Sequence, residues 1–209
     1  MLEVRKLAEH FLHRYDPDPK HPLHVAKLSL QLFEQLTLYK QINPNHADIL
    51  YTAALLHDVG HALSSDGRNH HIASEKFILS QRWPGWDKIT TTLCATVARL
   101  HRKSTRYIFA ASADTSKTFK KSENIQTVLA LAAVLRVADA LDRSHSQTIQ
   151  SVRIIPENSC WRLITSPHPP GPEEVLGLKK KSNLWNQIYG KLFWLDLLCS
   201  DTAQTNPTI

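Results

Sequence analysis

The sequence predicts a mainly α-helical fold that ends in a small α+β appendage. Apolar residues recur at helical spacing through most of residues 1–148. Two short runs of β-type composition appear only after residue 150, on either side of the turn-forming pair Glu157-Asn158. We therefore predict two units, a helical body at residues 1–148 and an α+β subdomain at residues 149–209 that packs on it.

Proline- and asparagine-rich breaks divide the helical body into segments. Asp16-Pro17-Asp18-Pro19 and Asn43-Pro44-Asn45 are two such breaks. Gly60 is expected to cap the end of the third helix, and residues 102–122, rich in Lys, Ser and Thr, are expected to form a loop. The pattern predicts helices at residues 1–15, 22–42, 47–58, 70–81, 87–101 and 123–144.

The appendage shows a different texture. Residues 151–156 and 160–165 predict a β-hairpin. Residues 173–189 predict a helix, and residues 191–198 predict a last strand. The exposed side of that strand, at residues 194–198, is a candidate edge for a homodimer.

Composition favours a soluble, cytoplasmic protein. Apolar residues make up 42% of the chain and charged residues 21%. No apolar run approaches the ~20 residues of a membrane span, so we expect no membrane association. Cys94, Cys160 and Cys199 are scattered and odd in number, which predicts reduced thiols in a reducing compartment.

Positive charge is concentrated in one segment. The whole chain has a formal charge of +6, and residues 99–121 hold seven basic residues and one acidic residue, which also gives +6. Such a patch favours an anionic partner, although a solvated loop would show the same composition. The segment has no known nucleic-acid-binding motif, which argues against nucleic acid.

The strongest functional signal is a set of metal-ligand residues at helix ends. His57 and Asp58 are adjacent and close an apolar run, and His24 lies near the start of the second predicted helix. Asp139 has apolar neighbours, so burying it costs several kcal/mol unless a cation lies beside it. An ion pair with Arg136 or Arg143 is the alternative to a metal ion.

We therefore predict one divalent ion held by two imidazoles and two carboxylates. A second ion would share Asp58 and use either His70 or His71, together with His101. Those three histidines are alternatively hydrogen-bonding partners of the ligands. His61 could reach the same opening, whereas His21 either lines the site or faces solvent.

These residues resemble a known pattern. The order His24, then His57-Asp58, then Asp139 is similar to the H…HD…D signature of the HD superfamily of metal-dependent phosphohydrolases. The segments beginning His21-Pro-Leu-His24, Ala54-Leu-Leu-His-Asp, Leu100-His-Arg-Lys and Leu135-Arg-Val-Ala-Asp resemble, more closely, the C-terminal HD domain of the exopolyphosphatase / guanosine pentaphosphate phosphatase family.

The resemblance implies an HD-domain helical bundle and hydrolysis of a phosphomonoester, phosphodiester or phosphoanhydride by a metal-activated water. One or two ions (Mn, Fe, Mg, Ni, Co or Zn) are expected, with a phosphorylated small molecule, a nucleotide or polyphosphate as substrate. Arg102, Lys103 and Arg143 are placed to offset the negative charge of the transition state. Asp142 or His61 is the candidate proton carrier.

Two departures keep an alternative open. The 209 residues hold no counterpart of that family's N-terminal phosphatase domains, which carry out its phosphate hydrolysis. Ala73 stands where the family pattern has a further histidine, so the choice between His70 and His71 stays open. The alternative function is a regulatory HD module that binds polyphosphate or a nucleotide, or docks to a separate phosphatase.

Overall fold

The computed structural model describes residues 2–64, 69–102 and 118–194. Most of the predicted basic loop and the far end of the predicted last strand lie outside these ranges. The body consists of α1 (Leu2–Tyr15), α2 (Lys20–Leu38), a 3₁₀ turn (Pro44–His46), α3 (Ala47–Leu56), α4 (Gly60–Leu63), α5 (His70–Ser80), α6 (Lys88–Leu100) and α7 (Ser122–Ala140). The prediction of a mainly α-helical fold is confirmed.

The longest helices are amphipathic or wholly buried according to their place in the bundle. In α2, Leu28, Leu32 and Leu36 follow the i, i+4 rule and are fully buried. By contrast, α7 buries every residue from 131 to 140. It packs against α2, α3 and α6 on one side and against the appendage on the other. A helix stretch that is buried on all sides is the expected centre of such a bundle.

The appendage contains β1 (Ser151–Glu157), β2 (Cys160–Ser166), α8 (Pro172–Lys181), α9 (Asn183–Ile188) and β3 (Lys191–Phe193). β1 and β2 form the predicted antiparallel hairpin, and β3 pairs with β2 in parallel. The helices α8 and α9 pack on α7, and β1 packs on α2. The domain boundary near residue 148 stays a prediction.

Side chains of α2 cover the outer edge of β1. Gln31 Oε1 accepts a 2.8 Å hydrogen bond from the amide of Val152, and Gln35 Oε1 accepts one of 2.8 Å from Ile154. Gln35 Nε2 also donates to the carbonyl oxygen of Val152 at 3.0 Å. The backbone groups at this edge are therefore bonded within the chain, and α2 is fixed against the appendage.

At least four predicted helices have other boundaries in the structure, and one of them is the helix predicted at residues 22–42, which spans Lys20–Leu38. The helix predicted at residues 47–58 ends at Leu56, and Gly60 begins α4 instead of capping α3. Ser182 divides the helix predicted at residues 173–189 into α8 and α9. The helix predicted at residues 123–144 ends at Ala140. The close contact between α4 and α5 that fixes the turn after α3 accounts for the end of α3 at Leu56.

Cys94 is a buried free thiol, and burial raises its pKa. Cys160 is disulfide-bonded, so the expectation of reduced thiols is wrong for this residue.

Among the described helices, none combines the length and the apolar character that a bilayer span requires.

Candidate functional site

Histidine and aspartate side chains from five parts of the bundle meet at one place. They form two neighbouring groups in which the possible ligand atoms lie within 4.8 Å of one another. The first group contains His21, His57 and Asp139, and the second contains Asp58, His70 and His101. Apart from Asp58, whose side chain is 20% exposed, all of these side chains are buried.

The first turn of α2 delivers His21. Its Nδ1 lies 2.9 Å from Asp142 Oδ2, and its Nε2 lies 3.8 Å from Asp139 Oδ1. An ionised carboxylate only accepts hydrogen bonds, so Nδ1 carries the proton that is donated to Asp142. This arrangement of carboxylate and histidine is the one that commonly orients a metal-binding imidazole through its other nitrogen.

The ends of α3 and α6 deliver His57 and His101 in the same way. His57 Nδ1 lies 2.7 Å from the carbonyl oxygen of Ala54, and His101 Nδ1 lies 2.6 Å from that of Ala98. The last carbonyls of a helix lack intrahelical partners, so a histidine at this position can donate to them. Because a carbonyl only accepts, Nε2 of the neutral ring keeps its lone pair.

Asp58 lies between the two groups. Its Oδ2 is 3.4 Å from His57 Nε2, and its Oδ1 is 3.3 Å from His70 Nε2 and 3.4 Å from His101 Nε2. Within the described part of the chain, His57 Nε2 and Asp58 Oδ1 are buried and have no hydrogen-bond partner. A lone pair that faces a carboxylate oxygen is stable only if a cation or a proton lies between them. The residues therefore fit a divalent cation.

The two buried carboxylates are held in the ionised form. Burial alone would raise the pKa of Asp58, but the neighbouring imidazoles, chiefly His57 and His101, keep it well below its usual range. Burial would likewise raise the pKa of Asp139, and the ammonium of Lys181 is the main reason that it is lowered instead. Both groups are therefore available as anionic ligands at neutral pH.

The histidines respond to the same two effects in opposite ways. Burial lowers the pKa of His101 to about 4, although its contact with Asp58 acts in the opposite direction. Burial also opposes protonation of His21, but the hydrogen bond to Asp142 and the charge of Asp139 outweigh it and raise the pKa. The acidic groups around His21 thus favour a positive charge at this position.

A close contact between α4 and α5 positions the His57-Asp58 turn. A Cβ on Gly60 would lie 2.0 Å from the carbonyl oxygen of His70, so only glycine permits this approach. Ser74 Oγ accepts a 2.9 Å hydrogen bond from the amide of Gly60 and donates one of 2.7 Å to the carbonyl oxygen of His57. The turn is thereby fixed to the helix that carries His70.

The two groups open into a cavity of about 380 Å³. Among the described residues, the arginines and lysines that line it are Arg102, Arg143 and Lys181. Acidic side chains also line the cavity: Asp16, Asp18, Asp58, Asp139 and Glu173. A cavity lined by carboxylates, imidazoles and cations together has the chemistry for a metal ion and a phosphorylated ligand.

The structure brings together most of the predicted ligands. His57, Asp58, His70, His101 and Asp139 all belong to the two groups. Of the two histidines that begin α5, His70 points its Nε2 at Asp58, whereas the buried ring of His71 contacts that of His70 edge-on. The geometry therefore favours His70 as the ligand.

His24 is the predicted ligand that the structure places elsewhere. Its Nε2 lies 2.8 Å from the carbonyl oxygen of Ile149, just before β1. His21, one turn earlier, occupies the position expected of His24. The correction has a simple physical cause, because the face of α2 that packs on β1 is the face that carries His24.

The predicted catalytic residues are distributed around the opening. His61 is 44% exposed, with its Nε2 3.9 Å from Asp58 Oδ1. Arg102 and Arg143 line the cavity. Asp142 is bonded to His21, which makes it a positioning group more than a proton carrier. Lys103 lies outside the described residues.

Asp139 does have a cationic partner, but neither of the two expected arginines. Arg136 donates a 2.6 Å hydrogen bond to the carbonyl oxygen of Leu100, and Arg143 pairs with Glu173. The partner is Lys181, at the end of α8. Sequence reasoning missed this residue because Lys181 is the third of three consecutive lysines and nothing local distinguishes it.

Comparison with known families assigns the chain to one of them. The family model of Ppx/GppA phosphatase, domain III, matches residues 4–168, which is 165 of the 209 residues. The chain therefore belongs to the Ppx/GppA phosphatase domain III family. The predicted relationship to the C-terminal part of exopolyphosphatase-type proteins is confirmed at this level.

Proposed function

We propose that the chain is a metal-dependent phosphohydrolase of the HD superfamily. The observation that carries the proposal is the position of Asp58, whose two carboxylate oxygens lie 3.3–3.4 Å from three imidazole Nε2 atoms in two different ligand groups. The family relationship to phosphatases supports the same reaction class.

Two ions fit the residues. His21, His57 and Asp139 would hold one, and His70 and His101 would hold the other, with Asp58 shared between them. When bound, a divalent ion polarises a phosphoryl oxygen and lowers the pKa of a water molecule toward ~7. Manganese, iron, magnesium, nickel, cobalt and zinc are all candidates, because a mixed set of imidazole and carboxylate ligands selects none of them strongly.

The remaining side chains would bind and orient the substrate. The guanidinium groups of Arg102 and Arg143, on the cavity wall, would offset the negative charge of the phosphoryl group in the transition state. Asp142 would hold His21 in its metal-binding tautomer. His61, half-exposed beside Asp58, would carry a proton between the site and solvent.

The substrate we propose is an anionic phosphorylated small molecule or polyphosphate. Lys120 and Lys121 are exposed and lie at the described end of the basic segment, where they would attract such an anion. The cationic side chains that line the cavity would then hold the phosphate. We do not extend the proposal to nucleic acid, and homodimerisation through residues 194–198 stays a prediction.

The direct test combines metal loading with turnover. Purified protein, stripped with chelator and reloaded with Mn²⁺, is expected to bind one or two ions per chain by calorimetry. It should then hydrolyse p-nitrophenyl phosphate or bis-p-nitrophenyl phosphate. Asp58→Ala is expected to abolish both properties, and a variant that kept full activity would refute the assignment.

A second candidate function is a regulatory module, and the family match favours it because the matching model describes one domain of a phosphatase. In that function the chain would bind polyphosphate or a nucleotide, or dock to a separate phosphatase. Tight metal binding without turnover across a broad panel of phosphoesters and phosphoanhydrides would select this function over hydrolysis.

A further inference from the structure

Lys181 reaches the ligand cluster from the appendage. It is the last residue of α8, and its ammonium contacts Asp139 Oδ2, although 42 residues separate the two in sequence. Its side chain is 18% exposed, whereas that of Asp139 is 9% exposed. The neighbouring residues Lys179 and Lys180 are exposed on the same helix. One lysine of the three is therefore singled out by the fold.

The helix that carries Lys181 is firmly held on α7. Gly177 packs so closely that a Cβ there would lie 3.1 Å from the carbonyl oxygen of Ala140. Glu174 Oε1 accepts hydrogen bonds from the amide of Ser144 at 3.1 Å and from its hydroxyl at 2.6 Å. These contacts fix the position of α8 along α7 and place the side chain of its last residue at the cavity.

The ammonium of Lys181 has donors to spare. A lysine ammonium carries three N–H groups, and in the described part of the chain the acceptor that Lys181 contacts is Asp139. Lys181 also lines the cavity, together with Arg102 and Arg143. The remaining donors are therefore available to an anionic ligand in that cavity.

We propose that Lys181 is a phosphate-binding residue that the appendage supplies to the site. It contacts a phosphoryl oxygen of the substrate while it holds Asp139 Oδ2, and this leaves Asp139 Oδ1 directed at His21. The inference rests on the proposed function, because the phosphate lies in the cavity above the metal ligands. It assigns to the appendage a part in substrate binding.

The positive charge of Lys181 should act in opposite directions on metal binding and on phosphate binding. A positive charge beside Asp139 repels a dication, so its removal should leave metal affinity unchanged or increase it. The same charge attracts phosphate, so its removal should weaken phosphate binding. If the ion pair had only a structural role, its loss would instead weaken the binding of both Mn²⁺ and phosphate, because the site itself would lose its geometry.

The test uses Lys181→Met, which keeps the length of the side chain, and Lys180→Met as the matched control on the same helix. Mn²⁺ is titrated into the metal-free proteins by calorimetry, and inorganic phosphate is then titrated into the Mn²⁺-loaded proteins. K181M is expected to bind Mn²⁺ at least as tightly as the wild type and phosphate about 10- to 100-fold more weakly. K180M is expected to match the wild type in both.

Other outcomes overturn the proposal in distinguishable ways. Phosphate affinity of K181M within twofold of the wild type would remove Lys181 from the binding site while the proposed function stands. Parallel weakening of both ligands would assign it a structural role. A wild-type protein that binds no Mn²⁺ would overturn the proposed function and this inference with it. Should K181M not fold, Lys181→Gln, which keeps a hydrogen bond to Asp139 without the charge, replaces it with the same expected order.

Discussion

His21 Nδ1 lies 2.9 Å from Asp142 Oδ2, a hydrogen bond that joins the start of α2 to the residues after α7 across 121 positions of sequence. The bond sets the tautomer of His21 and directs Nε2 toward Asp139. An amino-terminal part and a carboxy-terminal part of the helical body thus meet at the imidazole of His21. A loss of this bond should affect the metal site before it affects the fold.

We expect Asp142→Asn to weaken Mn²⁺ binding by about 10- to 100-fold, because the neutral amide holds the His21 tautomer less well. Calorimetric titration of Mn²⁺ measures the effect, and circular dichroism checks the fold. Glu173→Gln is the control, since it removes a nearby carboxylate that lines the cavity and pairs with Arg143 instead of a histidine. Equal losses in both variants would indicate a general charge effect and contradict the positioning role.

Separate alanine substitutions of the two histidines of α2 distinguish the metal ligand expected from the sequence from the one that the structure favours. His21→Ala removes an imidazole of the first ligand group and is expected to lower Mn²⁺ affinity at least 100-fold. His24→Ala removes a hydrogen bond to Ile149 and should leave Mn²⁺ affinity near that of the wild type. It should instead cost about 1–3 kcal/mol of stability, because a buried carbonyl loses its donor. The reverse result would restore His24 as the ligand.

Gly60→Ala should disturb both the fold and the site. The new methyl group would lie 2.0 Å from the carbonyl oxygen of His70, so α4 and α5 must separate. We expect a loss of about 1–3 kcal/mol in urea unfolding, together with weaker Mn²⁺ binding. Gly85→Ala is the control, because its Cβ would meet open space and only its positive φ of 72° costs energy. Unchanged Mn²⁺ affinity in Gly60→Ala would contradict this prediction and show that the His57-Asp58 turn accommodates the added methyl group.

The amino-terminal cap of α6 should make stability depend on pH. Asp87 accepts hydrogen bonds from the amide of Thr90 at 2.7 Å and from its hydroxyl at 2.6 Å, and these bonds lower its pKa from 3.8. The charged cap therefore stabilises the fold above pH 3.8, and its contribution is lost as pH falls through the lowered pKa.

Asp87→Ala is expected to cost about 1 kcal/mol at pH 7. The difference from the wild type should shrink when urea unfolding is repeated at successively lower pH, because the wild-type cap becomes protonated. Asp87→Asn is the matched control, since it keeps a capping oxygen without an ionisable group. A difference between wild type and Asp87→Ala that stayed constant down to pH 2 would contradict a role for the charge.

Most of the site could be predicted because its residues carry local signals. His57, Asp58 and His101 stand at the ends of apolar helices, and Asp139 stands inside one, so each is conspicuous in the sequence alone. The histidine pair that begins α5 was also identified, but without a choice between its members. Helical periodicity and residue type sufficed for all of these because both are properties of short segments.

Only the tertiary structure decided which side chains meet. His21 and His24 lie on the same helix one turn apart, and the packing of α2 on β1 turns His24 toward Ile149 and leaves His21 to the site. Lys181 enters the cluster because α8 docks on α7, a contact that no local pattern encodes. The sequence by itself thus determined the helices and the kinds of ligand. The choice among neighbouring candidates came from packing between distant segments, where burial of the whole helix face outweighs the preference of any one side chain.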